Sequence, residues 1–319
     1  RINKAFIVLL PKKVGATSPD NFRLVSLQNC IIKLSSKCLT SRVQPFIFSI
    51  IHQDQSGFIK GRSIADNFTY AADIVQTCFK RKKWAIVLKL DFKKAFDSVS
   101  WTALAAIMLA KGFPEIWCNW VDSLNRSSQS AVVLNGKPGP WINCKQGLRQ
   151  GDSLSPYLFI IVADVLQRLI YQSSNDGRLA HLINQELPCP ALQYADDTII
   201  LVELNDLCIA NLKFLLLCFE ALSGLKINFS KSEVIVTGVS DSEALRVARL
   251  LNCSLGSFPI KYLGMPISSD KLHAKDFAPV VTKVGNRVMP WRGRYNTQAG
   301  KVALINACLS SLPMFLMGF

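Results

Sequence analysis

Residues 191–203 read ALQYADDTIILVE and set two adjacent carboxylates, Asp196 and Asp197, between apolar runs of β-forming residues. Neighbouring side chains of a strand point to opposite faces, so the pair cannot share a site from within a regular strand. At the tip of a tight hairpin they can, and the stretch is expected to fold as strand, turn, strand. Two carboxylates held close repel each other and stay ionised together only beside a cation. Magnesium suits such a site, because it takes one or two carboxylates and completes its shell with substrate phosphates. Taken alone, the pair also fits a solvated turn, since aspartate is a common turn residue. A second acidic strand end tells against that: Asp91 closes residues 84–92, a run that suits a buried strand. Three carboxylates at the ends of neighbouring strands would form a pocket for two metal ions, which clamp the attacking and leaving oxygens of a phosphoryl or nucleotidyl displacement.

Charge points the same way. Lysine and arginine number 37 against 22 acidic residues, a formal charge of +15 on a chain only 18% charged. A globular protein with such a one-signed surface favours a polyanion, nucleic acid or an acidic membrane face. With the acidic strand ends, this suggests a nucleic-acid polymerase or nuclease. The 319 residues, half of them apolar, suffice for a large core in two or three subdomains. The ten cysteines are scattered with no CxxC pair, and the three histidines stand far from any paired cysteines. Reduced thiols in an intracellular protein are therefore expected, and a zinc site is not. No apolar run approaches the roughly 18 residues of a membrane span, so no membrane partner is expected. The chain opens at Arg1 without methionine and closes inside the apolar SLPMFLMGF, and a piece of a longer polypeptide is expected.

The spacing of apolar residues over 21–50 suits an amphipathic helix. HQDQSGFIKGRSIADN (52–67) reads as a glycine-containing loop leading into a second helix. Residues 136–156 carry turn dipeptides and are mostly loop, ending in Ser155-Pro156 with the form of an N-cap and a first-turn proline. The apolar face of Leu158, Ile161, Val162, Val165, Leu166, Leu169 and Ile170 predicts a helix to about Tyr171. Another helix is expected over 208–222, and FPIKYLGMPI from about 259 is strand-like. Strands alternating with helices point to an α+β or α/β core.

KLDFKKAFDSVSW (89–101), GLRQGDSLSP (147–156), YADD (194–197), SGLKINFSKSE (223–233) and YLGMP (262–266) resemble, in order and approximate spacing, the successive motifs of reverse transcriptases. FRLVSLQN (22–29) and HQDQSGFIKGRS (52–63) are similar to the fingers motifs of non-LTR, LINE-type retrotransposons, and WRGRYNTQAGKVALINACLSSLP (291–313) to the thumb entry of plant elements of that type. The resemblance implies an α+β right-hand polymerase with an antiparallel palm sheet backed by helices. The implied divisions are fingers over 1–84, palm over 85–113 and 146–268 with a connection over 114–145 between them, and the start of a thumb over 269–319.

It also implies residue roles. Asp91, Asp196 and Asp197 become the ligands of two magnesium ions, manganese being a possible substitute. Phe96, five residues beyond Asp91, matches the aromatic gate that excludes a 2′-hydroxyl. Gln150 and Gly151 match the loop beside the incoming nucleotide, where glycine allows close backbone approach. Lys231 matches the lysine proposed to protonate departing pyrophosphate, and Tyr262, Leu263 and Gly264 match the primer grip. Arg23, Lys60 and Arg62 are candidate triphosphate or template contacts; GFIKGRS lacks the spacing and lysine of a P-loop. Without the resemblance, Phe96 reads as core packing, the 147–156 loop as an ordinary helix lead-in, Lys231 as a solvated side chain and KRKK (80–83) as a solvated approach to the strand. Ser153 stands where family members often carry proline. The expected function is RNA-directed DNA polymerisation on an RNA template from a DNA primer and dNTPs, in the nucleus or cytoplasm. Alternatives are a non-catalytic nucleic-acid-binding remnant, with the incomplete thumb weakening primer retention, and an intron-maturase-like enzyme.

Overall fold

The computed structural model describes residues 2–269 except 13, 185 and 186, and beyond them only residues 273, 278, 281–282, 285–286 and 297–305. Most of the expected thumb start therefore lies outside the described residues. Strands β1 (Lys4–Pro11) and β2 (Phe22–Gln28) precede the helices α1 (Cys30–Ile50) and α2 (Ile64–Lys80). Next come β3 (Ala85–Leu90), β4 (Phe92–Lys93), α3 (Ala95–Ser98), α4 (Trp101–Ala110) and α5 (Glu115–Arg126). Strands β5 (Gln129–Leu134), β6 (Lys137–Pro138) and β7 (Ile142–Asn143) lead to the long helix α6 (Ser155–Asn175). Hairpin β8 (Ala191–Tyr194) and β9 (Asp197–Glu203) is followed by α7 (Asp206–Ser223), β10 (Lys226–Ile227), β11 (Glu233–Thr237) and α8 (Asp241–Leu251). Strands β12 (Ser254–Leu255), β13 (Ile260–Tyr262) and β14 (Met265–Ile267) complete this part.

The central sheet runs β12-β11-β3-β9-β8. Its pairs are antiparallel except for the edge pair of β11 with β12. Strand β3 is apolar except for Lys89 near its end, because both its faces are covered. Ile86, Leu88 and Leu90 join the larger core with α4, α6 and α7. Ala85 and Val87 join a smaller core with α2 and the β13–β14 hairpin. Burying each side chain of this size stabilises the fold by about 1.5–3 kcal/mol. A second sheet, β2-β1-β5-β6 with β7 also on β5, draws strands from both 4–28 and 129–143.

Residues 22–28 depart from the helix expected over 21–50: FRLVSLQ pairs with β1 as a strand, and helix begins only after Asn29 caps it by accepting the Ile31 N–H. Helix α6 begins at Ser155, the residue expected to cap it, and so one residue earlier than expected. Leu154 holds the capping position, and its own N–H donates to Asp152 Oδ1. Among the described residues, no helix is long and apolar enough to cross a membrane.

Candidate active site

The expected hairpin forms with Tyr194 opposite Asp197, so Ala195 and Asp196 are its entire loop. Ala195 carries it at φ +55°, in the left-handed region that disfavours residues with a Cβ. Strand β3 lies against β9 with Leu90 opposite Thr198. One step further along the same register sets Asp91 opposite Asp197. Directly opposed residues share a face with Cβ atoms about 4.5–5.5 Å apart. That face also carries Lys89, opposite Ile199 in β9 and Glu233 in β11. Asp91, Asp196 and Asp197 all reach solvent here, beyond the end of the core.

Electrostatics couple the three. The surrounding protein raises the Asp196 carboxyl above its ordinary range, and Asp197 and Asp91 raise it further. Desolvation likewise raises Asp197, against the attraction of Lys89 and with the repulsion of Asp91. Among the described residues, no group of three His, Cys, Asp or Glu side chains closes into a ready-made cage. Carboxylate oxygens are nevertheless hard donors of the kind magnesium takes, with substrate phosphates and water completing its shell. The donor chemistry therefore fits divalent magnesium or manganese.

Two segments hold Asp91 and the hairpin from the sides. The turn 228–232 grips the Asp91 peptide: Asn228 N–H donates to Asp91 O at 2.7 Å, and Asp91 N–H to Ser232 Oγ at 3.1 Å. Lys231 sits exposed on this turn. Tyr262 is 0% exposed, with its hydroxyl donating to Leu192 O of β8 at 3.3 Å. Burial pushes that hydroxyl's pKa well up. Tyr262 is thus an anchor of the β13–β14 hairpin in the core, and the tip is Leu263-Gly264, both at positive φ, with Leu263 partly buried against the smaller core and Gly264 exposed. The structure brings these groups to one end of the central sheet.

The remaining predicted residues divide. Phe96 is half-buried and stacks on Phe159 of α6 at 4.8 Å and 18°. Gln150 Nε2 donates to Asp97 Oδ1 at 3.3 Å and Gln150 O accepts the Ser26 N–H, tying this loop to β2. Gly151, at φ +95°, is exposed beside Ser26. Arg23 on β2 and Lys60 are exposed. Lys60 borders an open groove of about 790 Å³ that Phe58 and Tyr194 also line. Arg62 lines it too, but turns its guanidinium inward onto four main-chain carbonyls, those of Phe48, Ile51, His52 and Gln55. Its donors brace the end of α1 rather than facing the groove.

Sequence reasoning passed over Gln55, Gly57, Asn67 and Gln193. Gln193 N–H donates to Asp54 O and Ser56 N–H to Gln193 O, so the 52–58 loop runs beside β8 as a bridge of one extra strand. Asn67 Nδ2 donates to Gln193 O and Asp54 O at 3.0 and 2.8 Å. Gly57 lies so close to the hairpin loop that a Cβ there would stand 2.4 Å from Ala195 N. The only local trace of this was the glycine in QSGF.

A sequence model of the family described as reverse transcriptase (RNA-dependent DNA polymerase) matches residues 10–267. A Xenopus laevis protein described as transposon TX1 uncharacterized 149 kDa protein is 28% identical over 316 residues, 97% of this chain and 23% of that one. The Pol polyprotein from the type-1 retrotransposable element R2 of Nasonia vitripennis is 28% identical over 199 residues, 62% of this chain and 19% of that one. The chain thus spans less than a quarter of these relatives. Among solved structures, telomerase from Candida tropicalis in complex with a TWJ fragment of telomeric RNA superposes with a TM-score of 0.58 at 12% identity, over 100% of this chain and 54% of that one. The apo telomerase of the same organism, truncated from its C-terminal domain, gives 0.55 at 15% identity over 85% and 55%. At such identities the likeness shows the fold, that of a right-hand polymerase.

Proposed function

The chain belongs to the reverse transcriptase family, with polyproteins of retrotransposable elements among its relatives, and from that premise we propose that it is the RNA-directed DNA polymerase core of a LINE-type element. The observation that carries the reading is the strand register, with Asp91 beyond Leu90 opposite Asp197 and Asp196 in the adjoining turn. In this reading the central sheet is the palm, the β2-β1-β5-β6 sheet belongs to the fingers, and the β13–β14 hairpin is the primer grip. Its substrates are an RNA template, a DNA primer end and dNTPs.

Asp91, Asp196 and Asp197 would hold two divalent cations, magnesium with manganese as substitute, which when bound activate the attacking hydroxyl and neutralise the phosphates. The chain's own residues do the rest. Phe96, backed by Phe159, presents a ring that cannot retreat from a ribose 2′-hydroxyl. Gln150 and Gly151 allow the nucleotide to approach the backbone. Lys231, exposed on the turn that grips Asp91, is in reach of the same end of the sheet and serves as the acid for departing pyrophosphate. Lys60 and Arg23 supply exposed positive charge for phosphates.

The test is primer extension on an RNA template with dNTPs and magnesium, comparing the chain with Asp196→Ala and Asp197→Ala. The expected result is extension that falls to background in both variants. Binding without extension by the unaltered chain, or extension that survives both substitutions, overturns the reading.

A further inference from the structure

The acidic hairpin is held from an unexpected direction. Gln55, 0% exposed, sits in the 52–58 loop and is separated from the hairpin by some 140 residues of chain. Its Oε1 accepts two main-chain N–H groups at 2.9 Å each, those of Ala195 and Gly57. Its Nε2 turns to Ala195 O at 3.4 Å and Gln193 Oε1 at 3.5 Å. One amide thus spans the peptide units on both sides of the Ala195 Cα, the residue whose left-handed φ aims the next residue, Asp196. Hairpin loops of two residues prefer glycine or asparagine at such positions. Here alanine is tolerated where an external group satisfies its peptide, a buried N–H that would otherwise lack a partner. Gln55 is itself fixed from behind, because Arg62 donates to Gln55 O at 2.7 Å while gripping the end of α1.

We propose that Gln55 is a positioning residue for the acidic turn: through the Ala195 peptide it sets the direction of the Asp196 carboxylate, and so the affinity of the site for divalent cations. The inference rests on the polymerase reading of this site. It also gives the QSGF segment a place in the reaction that needs no contact with nucleic acid. Side chains that orient ligands in this way alter metal affinity or activity by about 10- to 100-fold when removed.

Two variants of the whole chain separate this from a merely structural role. Gln55→Met keeps the volume and removes the acceptor. Gln55→Glu keeps an oxygen at the same reach, and burial beside other carboxylates favours its protonated form, whose hydroxyl can donate where Nε2 did. Binding is read without turnover, from the electron paramagnetic resonance signal of free Mn²⁺ titrated with protein. Gln55→Met is expected to bind the same number of ions about tenfold more weakly, and Gln55→Glu to recover most of that loss. In primer extension, Gln55→Met is expected to lower kcat by about tenfold or more while the KM for dNTP stays within about twofold. Unchanged affinity in a folded Gln55→Met protein overturns the proposal. So does a fall in the number of ions at unchanged affinity, the mark of lost fold, or a Gln55→Glu protein no better than Gln55→Met. Unaltered protein that neither binds manganese nor extends a primer overturns the polymerase reading and this inference together. Where unaltered protein does both, failure of the variants to behave as expected overturns the role of Gln55 alone.

Discussion

Phe96 has two roles in the proposed reading. Its stack on Phe159 belongs to the core, and its place five residues beyond Asp91 is assigned, in that reading, to the nucleotide. The two roles predict separable results. Phe96→Ala should cost about 1–3 kcal/mol of stability, less than a fully buried phenylalanine because the residue is only partly buried. In extension assays it should also admit ribonucleotides; a variant that is destabilised while discriminating between sugars as before would leave the ring a core residue only. Arg62 is the opposite case. From GFIKGRS it reads as a phosphate contact, but the structure commits its guanidinium to four carbonyls. A charged group in such a post loses several hydrogen bonds at once when truncated. Arg62→Ala is expected to lower the unfolding free energy by about 2–4 kcal/mol in urea titrations. Were stability to stay put while RNA affinity fell, a direct template contact would be the better account.

Legibility at the level of elements follows from how local the signal is. Hairpin β8–β9 and helices α6 and α7 are plain in the sequence because the apolar runs flanking the acidic pair and the 3.6-residue apolar period each lie within a single segment. Strand β2 was hidden because its apolar residues continue into those of α1, and only the Asn29 cap divides them. The bridge of the 52–58 loop to β8 had no local signature beyond the glycine in QSGF. Its partners lie about 140 residues away, and amide-to-backbone bonds impose no periodicity. Gly57 tests how tightly this bridge fits. A Cβ there would meet the Ala195 backbone at 2.4 Å, whereas Gly61 faces open space. Gly57→Ala should therefore shift the hairpin, destabilise the fold by about 1–3 kcal/mol, and depress extension. Gly61→Ala, at φ +89°, should cost only about 1–2 kcal/mol of backbone strain and leave extension rates close to normal. Equal losses of extension in the two variants would refute the tight fit.

At the scale of the whole molecule, the alternation of strands with helices left α+β and α/β open and the acidic strand ends left polymerase and nuclease open; the motif resemblance narrowed these to a right-hand polymerase, while the buried ionic joints had no signature. Asp164 on α6 is 0% exposed and is met by Lys111, Arg168 Nε at 2.7 Å and the His52 N–H at 2.7 Å, groups delivered by three separate segments. The same joint holds His52 among charges, and burial, the largest influence, lowers its pKa; Arg168 and Arg62 act with burial, Asp54 and Asp164 against it. Burial lowers His181 as well. His181 Nδ1 accepts the N–H groups of Ile183 and Asn184, both at 3.1 Å, and a proton there would break both bonds. Both histidines are thus harder to protonate in the folded chain than in the unfolded chain, which takes up their protons near pH 6.5. Below that value the unfolded state binds more protons than the native one, so stability present above about pH 7 declines as pH falls through about 6.5 toward the lower folded values. Asp54, whose carboxyl burial raises, acts in the opposite sense, because acidification removes a charge that is costly to bury. Its ordinary range lies well below that of histidine, so the histidines govern the upper part of the window. Urea midpoints are therefore expected to fall between about pH 7.5 and pH 5.5. His181→Asn, whose Oδ1 can accept the two N–H groups without titrating, should flatten part of that slope. A profile with the same slope in the variant would show that His181 does not carry the proton linkage.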